Sequence, residues 1–304
     1  MRYIVGYSAN ARGHDAVNLA VSLARGRGAS LDLVLVVPEV QQFGAAHAPK
    51  AGFENLLNKQ AREWLDEALA LVPADVPAQA HIRSGDSDAR TLIEAAEDLG
   101  ADVLVIGATR TGLFKRFTIG SVASALLHAS TVPVALAPHG YDHQDALTRI
   151  SCGLGTRAGA EKLLDFAIGM AAKRAVPLRV VSLLALDGGD PAAAAGAARE
   201  YAEKTVAAAA PVSPEGVQLV AKTEVVVAQG RSIEEAVDGL DWEGGEVLVI
   251  GSSRLAQGRS IFLGSTANRI LRALPVPMLV VPSGYEIKHQ NHSTSNDMSG
   301  EAPQ

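Results

Sequence analysis

The sequence has 304 residues, enough for two domains, and it is 48% hydrophobic and 20% charged, as in ordinary globular proteins. Its net charge of −6 argues against a nucleic-acid partner, because nucleic-acid-binding domains are usually strongly basic. The one cysteine, Cys152, excludes an intramolecular disulfide framework and a multi-cysteine metal site, and we expect it to be a small buried apolar residue. No uncharged apolar run reaches about 18 residues and the N-terminus lacks a signal-peptide pattern, so we expect a cytoplasmic protein that does not engage a membrane.

The first half of the sequence alternates strand and helix signals. The apolar run LDLVLVV is typical of a central parallel strand that is covered on both faces. Hydrophobic patterning predicts strands at Ile4–Tyr7, Leu31–Val37, Gln79–Arg83, Ala101–Gly107 and Val132–Pro138. Helical spacing of apolar residues predicts helices at His14–Arg27, Phe53–Leu71, Asp86–Leu99 and Val122–Ala129.

The second half follows the same alternation. Strands are predicted at Arg149–Leu154, Leu178–Leu184, Lys222–Val227, Glu246–Gly251 and Pro277–Val281. Helices are predicted at Ala158–Lys173, Ala192–Ala210, Ser232–Leu240 and Thr266–Ala273. This alternation predicts an α/β fold of right-handed βαβ units, with a parallel sheet that is covered by helices on both faces. Ligands of such sheets bind beyond the carboxyl ends of the strands.

One loop occurs twice in the sequence. Residues 105–123 read VIGATRTGLFKRFTIGSVA, and residues 249–267 read VIGSSRLAQGRSIFLGSTA. Without a gap, residues 107–138 and 251–282 share ten identities in 32 positions. The repeat predicts two copies of one domain, at residues 1–141 and 142–285, and residues 286–304 are predicted to form a disordered tail.

The repeated loop carries the residue types that hold a phosphate-sized anion. Gly107 and Gly251 end their strands and let the backbone approach a ligand closely. Gly120–Ser121 and Gly264–Ser265 open the next helix, where unpaired N–H groups and the helix dipole favour an anion. Positive charge comes from Arg110, Lys115, Arg254 and Arg259. The alternative is that the glycines only turn the chain and the serines only cap helices.

This loop resembles the signature of the universal stress protein family, which is a glycine, two residues, a second glycine, nine residues, and then Gly-Ser or Gly-Thr. The spacing is met twice, from Gly107 to Gly120–Ser121 and from Gly251 to Gly264–Ser265. The resemblance covers about residues 1–284. It implies a tandem protein of two UspA-like domains, each a Rossmann-like, adenine nucleotide alpha hydrolase-like fold with a five-stranded, mainly parallel sheet.

The resemblance also implies an adenine nucleotide, ATP, ADP or AMP, at the loops after the fourth strands, with magnesium only as a companion of ATP. The implied phosphate and nucleotide contacts are Ser8, Val37, Gly107, Arg110, Gly120, Ser121, Gly251, Arg254, Gly264 and Ser265. Two departures weaken the case for ATP. Arginine replaces the middle glycine in both copies, where a guanidinium could instead bind phosphate bidentately. Ser8 and Gly155 stand where nucleotide-binding members usually carry an aspartate.

Two classes of function follow. In the first, nucleotide binding shifts the loop Thr111–Thr118 or Leu255–Phe262 and changes contacts with an unknown protein partner. In the second, the chain is a nucleotide-independent structural module whose strands Val132–Ala137 and Pro277–Val281 pair within one molecule as an intramolecular pseudo-dimer. Homodimerisation of whole chains stays open. We predict no catalytic residue and no metal ligand, and at most slow ATP hydrolysis.

Three other motifs have simpler interpretations. The stretch GLGTRAG at 153–159 is close to the dinucleotide-binding fingerprint GxGxxG but is one residue too long. In that interpretation Asp187 would contact a ribose, although its spacing from the glycines is loose. We therefore interpret the stretch as a flexible turn. Ser8, His14 and Asp15 are the residue types of nucleophilic catalysis, but no nucleophile elbow of the GxSxG kind surrounds Ser8. We expect His14 and Asp15 instead to begin the first helix. The stretch HGYDH at 139–143 is predicted to be a solvated linker rather than a metal site.

Overall fold

The computed structural model describes residues 1–39, 51–110, 117–118, 120–155, 159–186, 190–211, 213–252, 264–282 and 285. Residues 51–55, 109–110 and 117–118 are described by their backbone alone. The tail at 286–304 that the sequence predicts to be disordered lies outside these ranges, as do Lys115, Asp187, Arg254 and Arg259.

The first half has the predicted alternation and one addition. Its elements are β1 (Arg2–Tyr7), α1 (Ala11–Ala24), β2 (Ser30–Val37), α2 (Ala51–Ala70), β3 (Ala78–Ser84), α3 (Asp88–Asp98), β4 (Val103–Gly107), β5 (Thr109–Arg110), β6 (Phe117–Thr118), α4 (Ser121–Ala129) and β7 (Val134–Ala137). The addition is the antiparallel pair β5 and β6, which is too short to give a sequence signal. Helix α1 begins one turn earlier than predicted, because the Asn10 side chain accepts the Arg12 N–H at 3.0 Å and caps the helix there.

The second half repeats this order. Its elements are β8 (Arg149–Gly153), α5 (Ala160–Ala172), β9 (Leu178–Ala185), α6 (Pro191–Ala208), α7 (Pro214–Ala221), β10 (Glu224–Gly230), α8 (Ile233–Asp238), β11 (Glu246–Gly251), α9 (Ser265–Ala273) and β12 (Met278–Val281). Helix α7 was not predicted. Ser213 caps it by accepting the Gly216 N–H at 3.1 Å, and Pro214 follows at the first helical position.

Both halves contribute to one ten-stranded sheet, in the order β10-β9-β8-β11-β12-β7-β4-β1-β2-β3. Within this ten-stranded sheet every pairing inside a half is parallel, whereas β7 and β12 pair antiparallel, with Ala135 opposite Leu279. The α/β fold class is therefore confirmed, and the two five-stranded sheets meet along their last strands. Each of these strands covers the edge that the other would expose to solvent.

Two apolar cores cover the two faces of this sheet. One lies under α1, α2, α5 and α6 and includes Cys152, and the other lies under α3, α4, α8 and α9. Cys152 is fully buried, as predicted, and burial raises its pKa to about 12, so it packs as a neutral thiol. Across the described ranges, none of the helices combines the length and the apolar character needed to span a membrane.

The segment that connects the halves lies along α1 and is held there by side chains. Asn18 donates to the Tyr141 carbonyl at 2.8 Å, Ser22 to the Asp145 carbonyl at 2.7 Å, and Arg25 to the Gln144 carbonyl at 2.8 Å. These bonds hold the linker against α1, whereas the sequence predicts a solvated segment. The linker therefore fastens the second half to the first.

Candidate functional site

Each repeated loop begins at the carboxyl end of a strand, and its described first and last residues border a cavity. We call the cavity beyond β4 the first cavity and the cavity beyond β11 the second cavity. The first is about 160 Å³ and the second about 400 Å³. Both stand where parallel α/β sheets bind their ligands, at the carboxyl ends of the central strands and the start of a helix.

The first cavity is formed by the ends of β1, β2 and β4 and by the starts of α1, α3 and α4. Its walls consist of Gly6, Tyr7, Ser8, Arg12, Val34, Leu35, Val36, Asp88, Leu92, Ile106, Gly107, Gly120, Ser121, Val122 and Ala123. Two opposite charges, Arg12 and Asp88, face this small space from the first turns of their helices. An entering anion would meet a carboxylate as well as a guanidinium.

The backbone of α1 narrows the first cavity at Gly107. A β-carbon at this glycine would come within 2.1 Å of the Arg12 carbonyl oxygen. The Ser8 hydroxyl donates to the Asn10 side-chain oxygen at 3.1 Å, and that oxygen caps the helix. Gly107 and Ser8 therefore serve the close packing of α1 on the end of the sheet, which leaves little room for a ligand.

Helix α4 opens on the first cavity in the predicted way. Gly120 is its N-cap in an extended conformation, and the Ser124 N–H makes the first intrahelical bond, to the Gly120 carbonyl at 2.9 Å. The N–H groups of Ser121, Val122 and Ala123 precede that bond and have no partner within the helix. These donors lie in the cavity wall.

The second cavity is formed by the ends of β8, β9, β11 and β12, by the starts of α5 and α9, and by α6. Its walls consist of Gly153, Leu154, Gly155, Gly159, Ala160, Lys162, Leu163, Val181, Ser182, Leu183, Leu184, Ala198, Ile250, Gly251, Ser252, Gly264, Thr266, Ala267, Ile270, Val281, Pro282 and Tyr285. Most of this surface is aliphatic. Among the wall residues that the structure describes, Lys162 is the one with a formal charge.

Bare backbone distinguishes the second cavity from the first. A β-carbon at Gly251 would have the Leu163 side chain at 3.6 Å as its nearest neighbour, and one at Gly155 would meet nothing within 4 Å. Helix α9 opens on the cavity with Gly264 as an extended N-cap, and the Asn268 N–H makes the first intrahelical bond, to the Gly264 carbonyl at 3.0 Å. The second cavity thus has the same helix N-terminus as the first, without the crowding.

The structure brings six of the ten predicted site residues to the cavity walls. Ser8, Gly107, Gly120 and Ser121 line the first cavity, and Gly251 and Gly264 line the second. Val37 and Ser265 are not among the wall residues: the Val37 carbonyl accepts the Gly85 N–H at 3.1 Å, and Ser265 is exposed beside Thr266, which does line the cavity.

The two predicted arginines are described in part at most. The Arg110 backbone pairs with Phe117 in the short antiparallel ribbon, and its side chain lies outside the described atoms. Arg254 lies outside the described ranges altogether, as do the loop segments 111–116 and 253–263. Their predicted contacts with phosphate stay predictions.

Sequence reasoning missed a cation at each cavity and the role of one glycine-rich turn. Arg12 and Lys162 occupy the first turn of the first helix of their halves, and both are exposed. A basic residue shortly after the first strand of each copy was the available signal. Gly155 and Gly159, which the sequence analysis treats as part of a flexible turn, line the second cavity.

Asp15 and His139, which belong to two of the other motifs, lie side by side in the fold. Asp15 is buried, one turn further into α1 than predicted, and it accepts the Gly140 N–H at 3.1 Å. Burial raises the pKa of Asp15, while that N–H and nearby His139, at 3.5 Å, act in the opposite direction. Over the described part of the chain, no group of three or more His, Cys, Asp or Glu residues is placed to hold a metal ion.

Comparison with known proteins agrees with the tandem arrangement. A family model described as the universal stress protein family matches residues 1–138 and 147–282. A universal stress protein of Mycobacterium tuberculosis (strain H37Rv) is 32% identical over 304 residues, covering 93% of this chain and 100% of that protein. One from Mycolicibacterium smegmatis is 26% identical over 91% of this chain and 96% of its own length. The predicted boundary between residues 141 and 142 falls between the two matched ranges and stays a prediction.

A solved structure has the same fold over nearly the whole chain. The crystal structure of a universal stress protein from Archaeoglobus fulgidus DSM 4304 superimposes with a TM-score of 0.67 at 17% sequence identity. The match covers 93% of this chain and 98% of that chain. At this identity the likeness concerns the fold alone.

Proposed function

This chain belongs to the universal stress protein family through both of its halves, and we propose that it is a stress-response regulator whose second cavity binds an adenine nucleotide. Size supports the choice between the two cavities. Pockets for small molecules usually measure about 300–1,000 Å³. The second cavity, at about 400 Å³, lies in that range, and the first, at about 160 Å³, lies below it.

The chemistry of the second cavity also suits a nucleotide. Aliphatic side chains such as Val181 and Ile250 offer an apolar surface for an adenine ring. The N-terminus of α9 offers unpaired N–H groups for phosphate oxygens, and Lys162 adds a positive charge. No carboxylate opposes the phosphates among the described wall residues, in contrast to Asp88 in the first cavity.

The same wall offers little for hydrolysis. A general base or a metal-binding carboxylate would be needed to activate water, and the described walls of the second cavity contain neither. In this proposal magnesium enters only with the phosphates of ATP. The nucleotide is therefore a regulatory ligand, and the bound form is expected to be recovered chemically unchanged.

Isothermal titration with ATP, ADP and AMP tests the proposal. We expect one nucleotide per chain and a rise in melting temperature on binding. Lys162→Ala should weaken binding by roughly threefold to tenfold, because a charge-assisted contact to phosphate is lost. Arg12→Ala is the matched control: it removes the equivalent exposed cation beside the first cavity and should leave the affinity unchanged.

A second variant separates the cavity from the charge. A β-carbon at Gly155 would meet nothing within 4 Å, and Gly155 lines the second cavity, so Gly155→Phe should place a ring at this cavity and block it. Ser8→Phe occupies the corresponding position of the first half. Nucleotide binding that survives Gly155→Phe but is abolished by Ser8→Phe would place the ligand in the first half, and no heat at millimolar nucleotide would reject the proposal.

A nucleotide-independent structural module is the second candidate function. The antiparallel pairing of β7 with β12 favours it, because the two halves stabilise each other along this edge with no ligand involved. Freshly purified protein should then release no nucleotide when it is denatured in acid. Nucleotide detected by mass spectrometry at an amount comparable to that of the protein would contradict this candidate.

A further inference from the structure

A third cavity lies between the two halves, at the opposite ends of β1 and β4 from the first cavity. We call it the inter-half cavity, and its volume is about 460 Å³. The first half contributes the starts of β1 and β4 and the residues just after α1. The second half contributes the last turns of α5, together with Leu279 and Tyr285. Apart from Tyr285, which also lines the second cavity, none of its wall residues belongs to the walls of the first or the second cavity.

Three cations border the inter-half cavity without an acidic partner. Arg27 comes from the first half, and Lys173 and Arg174 come from the second. Within the described ranges none of the three forms an ion pair with a carboxylate. The Nε atoms of Arg27 and Arg174 are inaccessible to solvent and have no hydrogen-bond partner there. Buried donors of this kind normally have an acceptor.

The contacts that these arginines do make are with neutral groups. Arg174 Nη2 donates to the Leu23 carbonyl at 2.9 Å and lies 3.4 Å from the Tyr3 hydroxyl. Arg27 Nη2 lies 2.8 Å from the Met1 sulfur. These contacts hold the guanidinium groups beside the cavity but leave their charge uncompensated.

Among the described wall residues one is acidic, Asp102, against the three unpaired cations and the paired Arg2. Asp102 accepts the backbone N–H of Arg2 at 2.9 Å, and the Arg2 guanidinium pairs with buried Asp32 at 3.1 Å. Burial lowers the pKa of Lys173, and the nearby charges of Arg27 and Arg174 lower it further. An anion among the three cations would relieve this mutual repulsion.

The rest of the inter-half cavity is apolar. Phe166 and Tyr285 meet edge to face, with ring centres 6.0 Å apart, and Met170 and Leu279 lie nearby in the wall. We propose that the inter-half cavity binds a small organic oxyanion, a phosphate or carboxylate group on an apolar body. The volume suits a small molecule, and guanidinium groups bind both kinds of oxyanion through paired hydrogen bonds.

Phenyl phosphate and benzoate are suitable probes, since they share an apolar ring and differ in the acidic group. Either should bind once per chain and raise the melting temperature above that in sodium chloride of equal ionic strength. Inorganic phosphate should bind at least about tenfold more weakly, because it cannot use the apolar wall. The stronger of the two aromatic probes identifies the acidic group. No rise beyond that of sodium chloride with either probe would overturn the proposal.

Variants assign the effect to this cavity. Arg27→Ala combined with Lys173→Ala should weaken binding of the stronger probe by at least about tenfold, because two charge-assisted contacts are lost. Lys204→Ala, which removes an exposed lysine paired with Glu200, is the control and should bind normally. Unchanged binding in the double variant would contradict the proposal.

A charge reversal keeps the test decisive if the double variant folds poorly. Lys173 is exposed, so Lys173→Glu should leave the circular dichroism spectrum unchanged and abolish probe binding. Persistent binding would overturn the proposal. Lys162→Ala should leave probe binding intact, so a failure of the proposed nucleotide site and a failure of the inter-half site are distinguishable.

Discussion

Gly107 and Gly251 hold equivalent positions in the two halves, but their surroundings differ. A β-carbon at Gly107 would come within 2.1 Å of the Arg12 carbonyl oxygen, which is backbone and cannot move without the helix. A β-carbon at Gly251 would lie at an ordinary contact distance, 3.6 Å from the Leu163 side chain. Gly107 is therefore required for packing, whereas Gly251 leaves room that a ligand can use.

We expect this difference to appear in a pair of alanine substitutions. Gly107→Ala should lower the free energy of unfolding by about 2–3 kcal/mol, because the new methyl group overpacks a helix against the sheet. Gly251→Ala should change it by less than about 0.5 kcal/mol. Urea denaturation of both variants beside the wild type measures the two effects, and equal losses would contradict the packing role of Gly107.

At the scale of elements, one buried carboxylate connects the starts of three strands of the second half. Glu246 on β11 is fully buried. Its Oε1 accepts from Arg179 Nη2 at 2.7 Å and from the Ser151 hydroxyl, and its Oε2 accepts from Arg149 Nη2 at 2.6 Å and from the Glu243 N–H at 3.1 Å. The starts of β8, β9 and β11 are thereby held in register.

Removing this carboxylate should loosen all three strands. Glu246→Ala is expected to lower the free energy of unfolding by about 3–5 kcal/mol, because it leaves buried Arg179 without its ionic partner. Glu203→Ala, which removes an exposed carboxylate 3.8 Å from Arg199, should have an effect below about 0.5 kcal/mol. Thermal and urea unfolding of both variants measure these changes. A loss of unfolding free energy in Glu246→Ala as small as that in Glu203→Ala would show that the strands do not depend on this network.

At the scale of the whole molecule, the two halves share one sheet and both apolar cores. Both apolar cores contain residues from each half, and the sheet runs through the β7–β12 pair without interruption. Unfolding one half alone would expose a strand edge and part of both cores in the other. The linker bonds to α1 add to this dependence.

The chain should accordingly unfold in one cooperative transition. Each half holds one of the two tryptophans, Trp64 on α2 and Trp242 before β11, so fluorescence can follow the halves separately. The variants Trp64→Phe and Trp242→Phe each keep one tryptophan as a reporter. For each variant, the urea midpoint from fluorescence is expressed relative to the midpoint from far-ultraviolet circular dichroism. The two relative midpoints should coincide within about 0.3 M. Separate transitions in one variant would show that the halves unfold independently.

Much of this molecule follows from the sequence alone. The repeat and the alternating patterns were sufficient for the α/β class, the tandem organisation and most strands and helices, because burial on both faces of a parallel strand imposes a local apolar signature. Gly107, Gly120, Gly251 and Gly264 could also be assigned to strand ends and helix starts from the sequence, because these are local features. The sequence does not predict the β5–β6 ribbon or α7. The ribbon has two residues in each strand, and α7 has eight residues and begins at the Ser213 cap, so neither gives a clear periodic pattern.

Only the tertiary structure decided which cavity is large enough for a ligand and which charges line it. Arg12 and Lys162 look like ordinary helix residues in the sequence, and their places beside the cavities depend on how each helix docks on the sheet. The cluster of Arg27, Lys173 and Arg174 joins residues from separate halves. No local pattern records such a meeting, because it arises from the packing of segments that are far apart in the chain.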